Sequence, residues 1–382
     1  KVRLGIIGVG GMGGNHAGSV LKGDIERCEL AAVADLVPET MKDYDDSVEK
    51  YDSGSALIAA DSVDAVLIAT PHYSHTTLGV KALKKGLHVL VEKPISVHKA
   101  DCEKLIAAHK GRKKQVFAAM FNQRTVSRFR KVKKLIDDGE LGELVRVTWI
   151  VTNWFRSEAY YASGGWRATW AGEGGGVLLN QCPHQLDLLQ WFCGMPSMVR
   201  GFCAFGKRHK IEVEDEVTAY MEYGNGATGA FITSTGEAPG TNRLEIAGEM
   251  GKVVVEGSDV LFTRNEVPTG THSRKTKERF GRPDVWNVEI PCRDTGGQHR
   301  IITQNFVDSI LDGKPLIAPA EEGIRSVELG NAMLYSCLTG KPVELPLDAK
   351  AFERRLKKLI KESRFTKKTV KTGVKKDLGS SF

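Results

Sequence analysis

Three groups of residues in this sequence have the types and the spacing to do chemistry. The first, Gly8-Val9-Gly10-Gly11-Met12-Gly13, is a G-x-G-x-x-G pattern set between a strand-like run and a helix-like one. Gly8 suits a tight turn, Gly10 lets the backbone approach a pyrophosphate, and Gly13 lets a helix pack closely on a strand. A helix read from Gly14 to Leu21 would follow, its N-terminus facing the negative charge, with Gly11 and Met12 among the cofactor-binding residues. Asp35 follows Gly13 by twenty-two residues, at the end of the second predicted strand. A carboxylate there accepts hydrogen bonds from the adenosine ribose hydroxyls and repels a 2′-phosphate, which points to NAD rather than NADP.

The second group lies after two further predicted strands: Thr70-Pro71-His72-Tyr73-Ser74-His75, and Glu92-Lys93-Pro94. Ligands of open α/β sheets sit outside the carboxyl ends of the strands, so Thr70, Pro71, His75, Glu92 and Lys93 are expected around the cofactor. An ammonium at Lys93 would hydrogen-bond a substrate oxygen and stabilise developing negative charge, although a lysine before a proline turn is also an ordinary surface residue. The third group is the stretch from Gly174-Gly175-Gly176 through Asn180 and His184 to Asp187. His184 can exchange a proton near neutral pH, and on one continuous helix Asn180 would reach it at i,i+4 spacing. The bland alternative is a packed, hydrogen-bonded histidine. Asn122 and Arg124, then Arg156, Tyr160, Trp166 and Arg167, offer the aromatic faces and guanidinium forks of carbohydrate sites, although such residues also merely anchor long loops. A metal site from His72, His75 and His184 has no supporting pattern, and Cys182 beside His184 lacks an acyl-transfer motif.

The elements that must position these residues alternate regularly. Strand-like runs at Val2 to Gly8, Glu29 to Asp35, Asp64 to Thr70, Leu87 to Val91 and Gln115 to Phe121 are separated by helical segments, which is βαβ punctuation with a parallel sheet covered on both faces. The fold class is therefore α/β, with an N-terminal doubly wound Rossmann domain over residues 1–123. Successive strand-like runs from Glu143 to Thr263, with turn signals such as Tyr223-Gly224-Asn225-Gly226, predict a mostly antiparallel sheet in an α+β second domain over 124–345. A helix from about Val177 to Phe192 would carry the third group. Helices from about Gln298 to Leu311 and Glu321 to Leu338 would close that second domain.

Composition excludes several classes of function. The 382 residues are 41% apolar and 26% charged, as in soluble globular proteins, and no run of about 18 apolar residues is present. A cytoplasmic protein without a membrane partner is expected. Seven cysteines without a C-x-x-C pair fit neither a disulfide framework nor a zinc knuckle. The net charge of +7 is concentrated in a basic tail, residues 346–382, with twelve Lys or Arg from Lys350 to Lys376 against Glu353 and Glu362. With only Phe352 and Phe365 for stacking, this stretch reads as a solvated terminal helix and frayed end rather than a nucleic-acid surface.

Taken together, G-x-G-x-M-G near the N-terminus, E-K-P about eighty residues later and G-G-G-x-x-x-[DN]-x-x-x-H-x-x-D in the expected second domain resemble the Gfo/Idh/MocA oxidoreductases. The resemblance covers nearly the whole chain. It implies a Rossmann domain followed by a domain whose open sheet makes contacts in a homo-oligomer, a dimer or tetramer. Lys93 would match the lysine at the reacting hydroxyl and His184 the proton acceptor. Asn180 stands where the family commonly carries a carboxylate; Asp187 is a candidate substitute for it, although a helix carboxylate in a structural hydrogen bond is its more ordinary role. The implied activity is NAD-dependent oxidation of a secondary hydroxyl of a sugar, glycoside or cyclitol, including C3 of a glycoside, with Asn180 holding the imidazole. The alternatives are an NAD-retaining glycosidase or lyase using transient C3 oxidation, and a non-catalytic NAD- and sugar-binding regulator.

Overall fold

The computed structural model describes residues 1–292 and 294–367. Six strands, β1 (Val2–Ile7), β2 (Cys28–Ala34), β3 (Glu49–Tyr51), β4 (Ala65–Ile68), β5 (His88–Val91) and β6 (Phe117–Ala119), form an all-parallel sheet in the order β3-β2-β1-β4-β5-β6. Except in β3, their side chains are mostly buried on both faces, which is why these runs read as continuously apolar. The chain order reverses between β1 and β4, so a crevice opens at the carboxyl ends of those two strands. The site residues of the first half converge there.

The second sheet holds nine strands: β7 (Leu144–Val151), β8 (Met198–Phe205), β9 (Glu214–Glu222), β10 (Thr228–Ser234), β11 (Asn242–Gly248), β12 (Gly251–Glu256), β13 (Asp259–Asn265), β14 (Val285–Glu289) and β15 (Val343–Glu344). They run in the order β14-β13-β12-β11-β7-β10-β9-β8-β15, antiparallel except where β10 pairs with β7. One face packs against the helices Pro183–Cys193 and Gly323–Thr339. The alternation of the strands leaves Phe202, Tyr220 and Leu261 exposed on the other face. β3 and β14 escaped the sequence pattern, because one has three residues and the other is exposed along its whole length.

Three expectations are corrected. The helix Gln298–Asp312 does not close the second domain: Ile302, Phe306 and Val307 are buried in the core of the parallel sheet, and Arg27 pairs with Asp308 and Asp312 on its outer side. The expected boundary at residue 123 therefore separates the strands but not the cores. The helix expected from Val177 starts only at Pro183. Proline lacks the N–H that a first-turn residue leaves unused, and the preceding residues instead bind β9: Val177 N donates to the Glu214 carbonyl, while Gly176 N and Leu178 N donate to its carboxylate. Finally, the start of the basic tail is not a solvated helix. In Ala349–Glu362 the residues Phe352 and Leu356, one helical turn apart, are buried in the second core, and the basic residues occupy the remaining faces. Residues 368–382 of the expected frayed end lie outside the described residues.

Candidate active site

A cleft of about 740 Å³ runs from the glycine loop to the second domain. At its first end Gly8 adopts φ +85°, a conformation that favours glycine, and a Cβ on Gly13 would lie 1.7 Å from the Gly8 carbonyl oxygen. Gly13 is thus a packing residue and does not line the cleft, whereas Gly8, Gly10, Gly11 and Met12 do. Around Gly10 a Cβ would meet nothing within 4 Å, and no side chain caps the helix Gly11–Leu21. Open space over an uncapped helix N-terminus fits a pyrophosphate.

Asp35 borders the same space, but its carboxylate also organises the loop: Val9 N and Val37 N each donate to one of its oxygens at 2.9 Å. Each oxygen keeps a lone pair for a ribose hydroxyl. Asp35→Ala should reduce the preference for NAD over NADP by about tenfold, roughly 1.4 kcal/mol. Comparing kcat/KM for the two cofactors checks this, and an unchanged ratio would remove the ribose role.

Thr70 and Pro71 follow β4, and the Thr70 hydroxyl is buried without a partner on this wall. His75 spans the two loops, its ring nitrogens lying 2.8 Å from the Pro94 carbonyl and 2.7 Å from that of Thr70. Next to it, Glu92 faces His16 at 2.8 Å and accepts from Lys93 N. Burial alone would raise the Glu92 carboxyl, but the His16 hydrogen bond and the surrounding positive charge outweigh it and bring it down to about 2. Lys93 itself is drawn below its ordinary value by burial, with Glu92 opposing. Its ammonium donates to the Asn180 carbonyl at 3.0 Å. One of three donors is engaged in this way, and two remain for a ligand.

His184 sits on the first turn of the helix Pro183–Cys193, against the edge of the Phe121 ring. Burial holds its imidazole neutral, well below the usual histidine value, and the Lys93 charge adds to this. Its Nδ1 is buried without a hydrogen-bond partner, and the residue lines the cleft. A neutral, unengaged imidazole beside an ammonium can take a proton from a hydroxyl that the ammonium holds.

Asn180 does not orient this imidazole, contrary to expectation. Because residues 177–182 are not helical, its amide turns away, donating to Glu173 and accepting from the Tyr160 hydroxyl at 3.4 Å. Asp187 does not substitute either, since Arg124 binds it in bidentate fashion at 2.6 and 2.7 Å. That pair takes Arg124 out of the expected sugar contacts: it is 2% exposed, also binds Glu322, and does not line the cleft. Asn122 is likewise buried, donating to Gln298. Arg156, Tyr160, Trp166 and Arg167 do line the cleft. Cys182 is buried against the Thr233 hydroxyl, its thiol pushed up to about 12 by burial. Among the described residues no group of His, Cys, Asp and Glu is arranged to hold a metal, and no helix is long and apolar enough to cross a membrane.

Two residues of the site escaped sequence reasoning. Glu173 is buried behind Asn180, and burial pushes its carboxyl up to about 7. Its position directly before three glycines was the available signal. His299 lines the cleft beside His16. No motif marks it, because only the packing of its helix on the parallel sheet brings it there.

A glycine loop at the switch point of a parallel sheet, facing a lysine and a histidine at a second domain, defines a two-domain NAD-binding oxidoreductase. The chain belongs to the GFO/IDH/MocA family: residues 2–120 match its oxidoreductase domain with an NAD-binding Rossmann fold, and residues 129–254 match its C-terminal domain. Myo-inositol 2-dehydrogenase of Thermotoga maritima is 24% identical over 363 residues, covering 90% of this chain and 98% of the relative. Inositol 2-dehydrogenase of Rubrobacter xylanophilus is 28% identical over 349 residues, covering 90% and 92%. Among solved structures, the WlbA dehydrogenase from Bordetella pertussis, in complex with NADH and UDP-GlcNAcA, superposes with a TM-score of 0.76 at 27% identity, covering 91% of this chain and all of the other.

Proposed function

We propose that this protein oxidises a secondary hydroxyl of a sugar, glycoside or cyclitol with NAD, and reduces the corresponding ketone in reverse. The observation that carries this reading is the meeting of Lys93 and neutral His184 on one cleft that continues to the glycine loop. The inositol dehydrogenases among the relatives support the substrate class. When bound, NAD supplies a hydride acceptor at the nicotinamide. The loop Gly8–Met12 and Asp35 hold its pyrophosphate and ribose. Lys93 donates to the substrate oxygen and stabilises its charge as the carbon is oxidised, while His184 takes the hydroxyl proton. The Asn180 carbonyl fixes the ammonium, and ionised Glu92 keeps it cationic. The exposed Phe202, Tyr220 and Leu261 support assembly of a dimer or tetramer on the open sheet face.

The test is NADH absorbance with NAD and a panel of inositols, methyl glycosides and anhydrosugars. NADH formed with one substrate class is expected, and silence across the panel despite NAD binding would overturn the reading. The pH profile of kcat/KM follows from the two depressed groups. His184 stays a competent base until the pH falls well below the ordinary histidine value of 6.5, and the cationic role of Lys93 is lost as pH rises through a value below 10.5. An acid limb centred at the ordinary histidine value would contradict the first half of this.

A further inference from the structure

Arg156 and Arg167, on the loop that follows β7, line the cleft without a carboxylate partner. Neither guanidinium lies within 4 Å of an Asp or Glu oxygen among the described residues, although both side chains are half-buried. Arg156 uses Nη1 on the Phe155 carbonyl and Arg167 uses Nη1 on the Tyr160 hydroxyl; the Nε of each is buried and unpartnered, and no hydrogen bond engages either Nη2. Both stack on Tyr160, at 5.1 and 4.8 Å from the ring centroid, with Trp154 and Trp166 flanking them. The aromatic faces hold the guanidiniums in place without neutralising them.

This pair belongs to the substrate end of the cleft. Arg167 donates to Tyr160, Tyr160 donates to Asn180, and the Asn180 carbonyl accepts from Lys93. The pyrophosphate amides lie on the glycine loop of the other domain, so these cations have no cofactor phosphate to serve. The remaining carboxylates are engaged elsewhere: Glu92 with His16, Asp35 with the loop amides, and Glu173 with Asn180 and the Ala168 amide beneath the surface, where it feels the Arg167 charge without pairing with it while burial raises its carboxyl. With Lys93, the substrate end therefore concentrates three cations. Their mutual repulsion and unmet donors cost stability in the free protein, and an anion would relieve both.

We propose that the substrate carries an anionic substituent, a carboxylate or a phosphate, received by Arg156 and Arg167 while its hydroxyl meets Lys93 and His184. This rests on the dehydrogenase reading for the hydroxyl alone. A pair of planar forks suits either anion, and a neutral sugar would leave neither guanidinium paired with a carboxylate.

Binding decides the matter separately from chemistry when it is measured by calorimetry on the NADH complex, where an alcohol is not oxidised. The probes are matched pairs: methyl glucoside with methyl glucuronide, galactoside with galacturonide, glucose with glucose 6-phosphate, and inositol with inositol monophosphate. At least one anionic member should bind about ten- to a hundredfold tighter than its neutral partner, with uronide and phosphate arms separating the two anions. The ratio should shrink as salt screens it. Arg156→Gln and Arg167→Gln should each bring it toward one, and Arg→Lys at the same positions should fall between, with thermal melts confirming the fold. A set in which no anionic member binds better than its partner, or a preference that survives both Gln substitutions, overturns the proposal. Anion-selective binding without NADH formation from NAD would uphold it and count against the dehydrogenase reading instead.

Discussion

His184→Ala should lower kcat by about a hundred- to ten-thousandfold, the usual worth of a positioned general base. The expectation rests on isolation as much as on placement. Nδ1 of His184 has no partner, Asn180 faces Glu173 instead, and the nearby carboxylates are engaged, Asp187 by Arg124 and Glu92 by His16. NADH affinity should change little, because the glycine loop and Asp35 bind at the other end of the cleft. The acid limb of the pH profile should disappear in the variant, and added imidazole should restore part of the rate. Retention of kcat within about tenfold with the same acid limb, far above what loss of a general base allows, would transfer the proton to another group. Lys93→Met tests the partner role: it should depress kcat more than it raises KM, because the ammonium matters most when charge develops on oxygen.

Arg124→Met should cost about 3–5 kcal/mol of stability, the range for breaking a buried pair from one side. The guanidinium joins three separate parts of the chain: the turn after β6, Asp187 on the helix that carries His184, and Glu322 before the helix Gly323–Thr339. With side chains 1% exposed on both sides of the Asp187 bond, water cannot replace the lost partner. Burial already pushes the Asp187 carboxyl up. Removing Arg124 raises it further, so ionisation opposes folding more strongly in the variant. The folded variant then binds a proton that the unfolded chain releases, and its stability falls as pH rises past the ordinary aspartate value. The deficit should therefore be greatest at neutral pH and narrow on acidification, as read from urea midpoints at several pH values. An equal deficit at every pH would mean that lost packing rather than an unpaired charge is responsible. Replacing Asp187 as well, by leucine, should recover part of the loss.

The cofactor half of the site was legible because its requirements are local. A turn at Gly8, open space at Gly10 and a tight contact at Gly13 each constrain a single residue type at a set spacing, and Asp35 follows from the length of one βαβ unit. The substrate half was read less well. Arg124 and Arg156 are the same residue type in similar aromatic surroundings, yet one is consumed by a buried ion pair and the other lines the cleft. Nothing within a few residues of either distinguishes them, since the partners Asp187 and Glu322 lie 63 and 198 positions away from Arg124. Asn180 was misplaced for a related reason. Regular helix does not run back across Pro183, because the residues before it form turns whose amides bond β9 and the Glu214 carboxylate.

By itself, then, the sequence determined the α/β class, the nucleotide loop and the candidate pair Lys93 and His184, because periodicity, glycine conformation and strand-end position act over a few residues. The tertiary structure decided which carboxylates neutralise which cations, that the helix Gln298–Asp312 brings His299 to the parallel sheet, and that Phe352 and Leu356 enter a core. Those outcomes depend on burial and on ion pairing between distant segments. A charge leaves water only where the fold supplies a partner, and that partner can come from anywhere in the chain.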